Sequence, residues 1–168
     1  MVEVKIKEAC VISAAHEGMD EFMKCFTDAI YNAIGGELNA DNMAQLSTAQ
    51  ISLLAYQILR DEVMDGGFVQ LIHNGYGGFI FLNPLSKVFR EWGLADLHKV
   101  LNKCHRLYSK YHEEIERDCS DEEFMAMFEK YEEFDAFDDC FVENEEDWTS
   151  AVAHYIDEHI SDFAIIEK

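Results

Sequence analysis

Positive charge is what this 168-residue sequence has least of: 13 lysines and arginines stand against 34 aspartates and glutamates, for a formal net charge of −21. A field of that sign repels nucleic acid and anionic membranes and attracts basic proteins or cations, which excludes direct DNA or RNA binding by the acidic surface. Proline is nearly missing too. Pro84 is the single example, no stretch reads as a linker, and one domain over residues 1–168 is expected. No apolar run approaches the roughly 20 residues of a membrane span, and residues 2–7 lack the long apolar stretch of a signal peptide, so the expected compartment is the cytoplasm. The five cysteines, Cys10, Cys25, Cys104, Cys119 and Cys140, are odd in number and include no C-x-x-C pair. They read as reduced core thiols, with neither a disulfide framework nor a zinc knuckle.

The motifs of familiar chemistry are missing as well. No histidine lies three residues after a glutamate, which removes the E-x-x-H element of di-iron bundles, and there is no H-E-x-x-H. The acidic stretch at 135–147 has no glycine and no D-x-D-x-D-G, so it is not an EF-hand loop. Gly75-Tyr76-Gly77-Gly78 fits neither of the glycine-rich phosphate loops, and no basic residue stands close by. Ser/His/Asp and Cys/His combinations occur without a nucleophile motif. The expectation is a non-catalytic protein without metal or cofactor. An enzyme or metal protein would have to use His98, His105 or His112, of which the first two share a helix face; His154 and His159 form a second, looser pair.

Against these absences, 49% of the residues are hydrophobic and 12% aromatic, enough to offset chain entropy and build a packed core. Met19, Phe22, Met23, Phe26, Ile30 and Ile34 recur at three- and four-residue steps and predict an amphipathic helix stopped by Gly35 and Gly36. The pattern leaves open whether it begins near Ala9 or follows a short strand at residues 2–6. Ser47 and Gln50 form a capping-box pair flanked by Leu46 and Ile51, and open a helix running to Asp65. Gly66 and Gly67 are expected to end it, one of them at positive φ. A short helix at 68–74, a tight bend at Gly75-Tyr76-Gly77-Gly78 and a helix with Asn83 as its cap and Pro84 at its first position follow. Gly93 stops that helix, and a longer one covers 94–111. Ser120 and Glu123 repeat the capping box ahead of an aromatic face of Phe124, Met127, Phe128, Tyr131 and Phe134. A last helix is predicted at 145–160, with Trp148, Val152, Tyr155 and Ile156 inward. The fold class is therefore all-α, a single compact multi-helix domain of about six to seven helices.

The charge is unevenly placed: residues 118–168 hold 18 acidic and 2 basic residues. This acidic C-terminal third is expected to pack on the helical core and to offer a partner-binding surface of Asp121, Glu122, Glu129, Glu132, Glu133, Asp135, Asp138, Asp139, Glu143, Glu145, Glu146 and Asp147. Duplex DNA presents about one charge per 1.7 Å of axis and a helix rises about 1.5 Å per residue, so acid at every second or third position gives a comparable density. The expected partner is a basic protein. Lys99, Lys103, Arg106 and Lys110, at four-, three- and four-residue steps, make one basic stripe. It reads as a solvated face, as the internal partner of the acidic third or as an anion site, the second being favoured over the third.

One stretch carries a resemblance. Glu62-Val63-Met64-Asp65-Gly66-Gly67-Phe68-Val69-Gln70, then Asn74-Gly75-Tyr76-Gly77, and finally Trp92-Gly93-Leu94 resemble the bacterial DNA-mimic protein family, over roughly residues 51–111. The resemblance implies an all-helical, dimeric fold with no catalytic role, built on the fold motif Gly66, Gly67, Phe68, Gln70, Asn74, Gly75, Tyr76, Trp92 and Gly93. The member that gives that family its name is an acidic protein that occupies the DNA-binding face of a helix-turn-helix repressor. On this reading carboxylates take the place of phosphates on a DNA-binding transcription factor. The alternative is a generic interaction or immunity-type module whose partner reads Tyr76 and the glycine bend.

Overall fold

A computed structural model describes residues 1–168. The chain forms ten helices: α1 (Glu8–Glu17), α2 (Met19–Ala33), α3 (Ala40–Met43), α4 (Thr48–His73), α5 (Gly77–Phe81), α6 (Leu85–Glu91), α7 (Ala95–Glu116), α8 (Asp121–Lys130), α9 (Asp135–Glu158) and α10 (Ile160–Phe163). Two three-residue strands, β1 (Lys5–Lys7) and β2 (Ile165–Glu167), pair in parallel, and a 3₁₀ turn covers Glu132–Phe134. The all-α class holds, and no helix is long and apolar enough to cross a membrane. The contacts divide the chain into two compact units, Met1–Leu54 with Asp147–Lys168, and Ala55–Glu146.

In the first unit the strand left open by the sequence is present at Lys5–Lys7, and two helices rather than one follow it, separated at Gly18. The predicted face of α2 is inward, with Phe22, Met23, Phe26 and Ile30 buried. The capping box is built as expected: Gln50 N–H donates to Ser47 Oγ at 3.1 Å, and Ser47 N–H donates to Gln50 Oε1 at 2.9 Å. Gln50 also has a role the local pattern does not announce. Its amide nitrogen donates to the Phe163 carbonyl at 2.9 Å, tying the start of α4 to α10. That bond is buried, so it satisfies groups that would otherwise be costly to leave unpaired. The ring of Phe163 meets Phe26 and Tyr155 edge-on.

The second unit is organised by a kink. As the sequence predicts, the first helical run stops at Gly66 and Gly67, and a second run resumes directly beyond them, so that α4 is two helical runs joined at a kink, with Gly66 at φ −147° and Gly67 at φ 75°, ψ −176°. The second of these is backbone that residues with a Cβ avoid. The side chain of Gln70 folds back over Gly66 in the space a Cβ would fill. From there its amide donates to Glu62 Oε2 and Asp65 Oδ2, both at 2.9 Å, while Asn74 Nδ2 donates to the same Glu62 oxygen at 2.9 Å. Two carboxylates ahead of the kink are thus held by two amides beyond it. Phe68, wholly buried, leads the resumed helix into the core against Phe81 and Phe141.

Three further details differ from the sequence reading. Gly77 and Gly78 belong to α5 rather than to the bend, and glycine is needed at 77 because the ring of Tyr108 lies where a side chain would be; a Cβ there would stand 2.5 Å from Tyr108 Cε2. Asn83 does not cap α6. Its amide donates back to the Phe79 carbonyl at 2.9 Å, and Pro84 occupies the cap position. Finally, the last long helix begins at Asp135, ten residues before the predicted start, so most of the acidic stretch is helical. Phe134, Phe141, Trp148 and Val152, all buried, mark its inner stripe.

Gly67 and Gly75 offer a controlled comparison, since both have positive φ but a Cβ at Gly75 meets nothing within 4 Å whereas one at Gly67 would stand 2.5 Å from an Asp138 carboxylate oxygen. Gly75→Ala should cost about 1 kcal/mol from backbone strain alone, and Gly67→Ala about 2 kcal/mol or more. Urea unfolding measures both; equal losses would mean that the carboxylate yields freely.

Candidate functional site

Helix α9 carries more acidic residues than any other helix, and its period sorts those at its acidic start into two groups. Asp135, Asp139, Glu143 and Glu146 fall at four-, four- and three-residue steps on one outward face, all exposed. With a rise of about 1.5 Å per residue, they form a row roughly 16 Å long. Exposed Asp147 follows in sequence. Asp138 and Glu145 point the other way.

Asp138 Oδ1 accepts the Phe68 N–H at 2.8 Å, so a carboxylate of α9 caps the resumed half of α4 in the notch left open by Gly67. Burial pushes its carboxyl up from the ordinary 3.8 to about 6, opposed by the Phe68 hydrogen bond and assisted by the neighbouring Asp135 and Asp139. Glu145 Oε1 lies 2.6 Å from Arg60 Nε, with side-chain exposures of 12% and 21%. That pair is largely withdrawn from water, so neither partner is available to a visitor, and removing one would strand the other. Arg60 is a residue the sequence reading passed over. Its signal is that it is the single lysine or arginine of α4.

The other acidic candidates precede α9. Asp121, Glu122 and Glu129 are exposed on α8, whose cap is the predicted Ser120: its Oγ accepts the Glu123 N–H at 3.2 Å. Glu132 and Glu133 stand exposed on the 3₁₀ turn, and Glu133 accepts the Tyr111 hydroxyl. No cation lies within ion-pair distance of Asp121, Glu122, Glu129, Glu132, Asp135, Asp139, Glu143, Glu146 or Asp147. Uncompensated carboxylates of this density attract a cationic surface over about a Debye length, 8–10 Å at ordinary salt.

The basic stripe does not supply the missing cations. Lys99, Lys103, Arg106 and Lys110 are exposed on α7, and none makes an ion pair; Lys110 lies over the Tyr111 ring, 4.9 Å from its centre. Tyr76 is half-buried at the start of α5, and Trp92 is buried against Phe89, which leaves the glycine-rich bend without a protruding aromatic. Among the histidines, His98 uses both ring nitrogens: Nδ1 donates to the Ser86 carbonyl at 2.8 Å and Nε2 accepts from Asn102 at 3.1 Å. His105 packs on Phe81, His112 contacts Glu116, His159 stacks on Tyr155, and His154 is exposed. No three His, Cys, Asp or Glu side chains are grouped as metal ligands would be.

The buried Asp138 makes stability depend on pH in a direction opposite to an ordinary salt-bridged acid. The unfolded carboxyl titrates near 4 and the folded one near 6, so between those values the native state holds the extra proton. This contribution therefore rises as the pH falls from about 7 through 6 and is smallest at neutral pH. Wild type should gain stability relative to Asp138→Asn between about pH 7 and pH 5, measured by urea unfolding. Parallel profiles would remove the assignment. Asp138→Ala, which leaves the Phe68 N–H without its acceptor, should cost about 1–2 kcal/mol at either pH.

The residues that carry the family resemblance and the acidic helix are thus parts of one construction, since the notch at Gly67 receives a carboxylate of α9. Comparison with known proteins covers both parts. The DMP19-like protein family matches residues 44–159, from the approach to α4 through the whole of α9 and well beyond the 51–111 segment in which the resemblance was read. The chain is 33% identical over 127 residues to the DNA mimic protein DMP19 of Neisseria meningitidis serogroup B, an alignment covering 75% of this chain and 77% of that protein. By the extent of that match and the motif that builds its central kink, the chain belongs to the DMP19-like protein family.

Proposed function

We propose that this protein is a non-catalytic regulator that mimics DNA and occupies the DNA-binding face of a basic protein. Nine exposed carboxylates without a cationic neighbour, on α8, the 3₁₀ turn and α9, carry the reading. A DNA-binding protein presents lysines and arginines spaced to meet phosphates, and half or more of its hydrogen bonds go to the sugar-phosphate backbone. The row of Asp135, Asp139, Glu143 and Glu146 offers a negative group every 4.5–6 Å by helix rise, sparser by less than a factor of about two than the roughly 3.4 Å spacing of charges along one strand of a duplex. Similarity to a protein named a DNA mimic supports the same reading. Asp138 and Glu145 leave the proposed surface and serve the fold.

The test is capture of DNA-binding proteins from host lysate on the immobilised protein, with duplex DNA as competitor and a salt series. Captured partners should be released by duplex DNA and by raised salt, because the attraction is electrostatic. Neutralising Asp135, Asp139, Glu143 and Glu146 to Asn or Gln should reduce retention roughly tenfold or more while the circular dichroism spectrum is unchanged. Retention that survives neutralisation but is lost in Tyr76→Ala would replace mimicry with a recognition module centred on the glycine bend.

A further inference from the structure

Positive charge is as unevenly distributed as negative. Six of the 13 basic residues lie between positions 87 and 110, where only two acids, Glu91 and Asp96, interrupt them. Structure gathers them on one hairpin. α6 and α7 are clamped side by side by Ser86 Oγ donating to Asn102 at 3.0 Å and by His98 donating to the Ser86 carbonyl at 2.8 Å. From α6 come Lys87 and Arg90, from α7 Lys99, Lys103, Arg106 and Lys110, and all six are exposed. In a chain with 34 carboxylates none of these cations is in an ion pair, although most other basic side chains are: Lys5, Lys7, Lys24, Arg60, Arg117 and Lys130 each have an acid within 4.0 Å. The six form an electropositive island instead.

The dimensions of the island select its occupant. Lys99 to Lys110 spans about 16 Å of helix. Beyond the ends of that α7 stripe stand Asp96 on one side and Glu113 and Glu114 on the other. A duplex, with about one charge per 1.7 Å continuing indefinitely, would run onto those acids, and an anionic membrane would meet the field of the whole protein. An anion whose charge ends within three helical turns avoids both. We infer that the exposed face of α6 and α7 is a docking surface for a short acidic helix of a partner protein, its carboxylates at the same four-, three- and four-residue steps as Lys99, Lys103, Arg106 and Lys110. That step order is palindromic, so the partner helix can lie in either direction.

The probe is a fluorescent synthetic helix with glutamates at i, i+4, i+7 and i+11 on a neutral helix-forming background. Its competitors are a peptide of the same composition with glutamates spread around the helix, and a short duplex DNA. Anisotropy at low ionic strength should show the striped peptide binding roughly tenfold tighter than the scrambled one or the duplex, an advantage that shrinks with salt. Lys99→Glu with Arg106→Glu should lose that preference roughly tenfold, with circular dichroism unchanged because both side chains are exposed. Equal binding of striped and scrambled peptides, preference for the duplex, or indifference to the double charge reversal would each overturn the inference. Self-association of the wild type that the double variant abolishes would make the occupant a second copy of this chain and overturn it too. Neither arm touches the acidic row of α9.

Discussion

The first amide of a resumed helix needs an acceptor, and at Phe68 that acceptor is a side chain 70 positions away, Asp138. Much of the second unit depends on this. The carboxylate enters only because position 67 lacks a Cβ, and it is held at the foot of a helix, where partial positive charge favours it. It fixes the register of α9 against α4, which in turn aligns Phe141 with Phe68 and Glu145 with Arg60. Asp138, Phe141 and Glu145 lie on one face at three- and four-residue steps, an inner stripe carrying a cap, a core ring and an ion pair. Once that face is fixed inward, helix geometry requires Asp135, Asp139, Glu143 and Glu146 to be outward. The motif that defines the fold therefore orients an acidic surface to which it contributes no charge.

This explains how a stretch of glycine, glutamine and asparagine can accompany an acidic surface without contributing to it. Gln70 and Asn74 gather Glu62 and Asp65 at the kink, where two carboxylates would otherwise repel each other at the end of one helix segment. Amides can do this because each offers two donors and no charge. A lysine in either place would neutralise the same acids, but at the cost of a long flexible side chain where a tight turn must be held.

Much of this was legible in the sequence because local rules and tertiary structure agree. The capping box at Ser47, the N-cap at Ser120, the amphipathic face of α2 and the left-handed glycine at the kink follow from short-range chemistry and stand where the residues predict them. What the sequence conceals shares a cause. At Gly66 and Gly67 the helix end is where the pattern puts it, and what no local window shows is the long-range cap on the run that follows. At 135–144 the apolar stripe is thin and acid dominates every window, so the helix is masked even though Phe134 and Phe141 keep its period. Asp138 and Glu145 looked like their outward neighbours because composition does not distinguish the two sides of a helix until one side is known to be buried. Arg60, the partner that withdraws Glu145, carries no motif.

The pairing of β1 with β2 bears on how the protein is made. Lys5 lies opposite Ile165, so two short strands at opposite ends of the sequence must find each other, and β1 has no other strand to pair with. The second unit, Ala55–Glu146, is continuous in sequence, so every residue it contains has been synthesised before β2 exists. On a ribosome adding about 5–20 residues per second, the nascent chain can assemble the kinked helix and its acidic partner while its first 54 residues wait without their complement. Completion of the first unit is then a late, long-range closure whose entropy cost grows only slowly with the length enclosed. A chain cut short before Ile165 would thus forfeit the strand pair while leaving intact the sequence of the unit that carries most of the acidic surface.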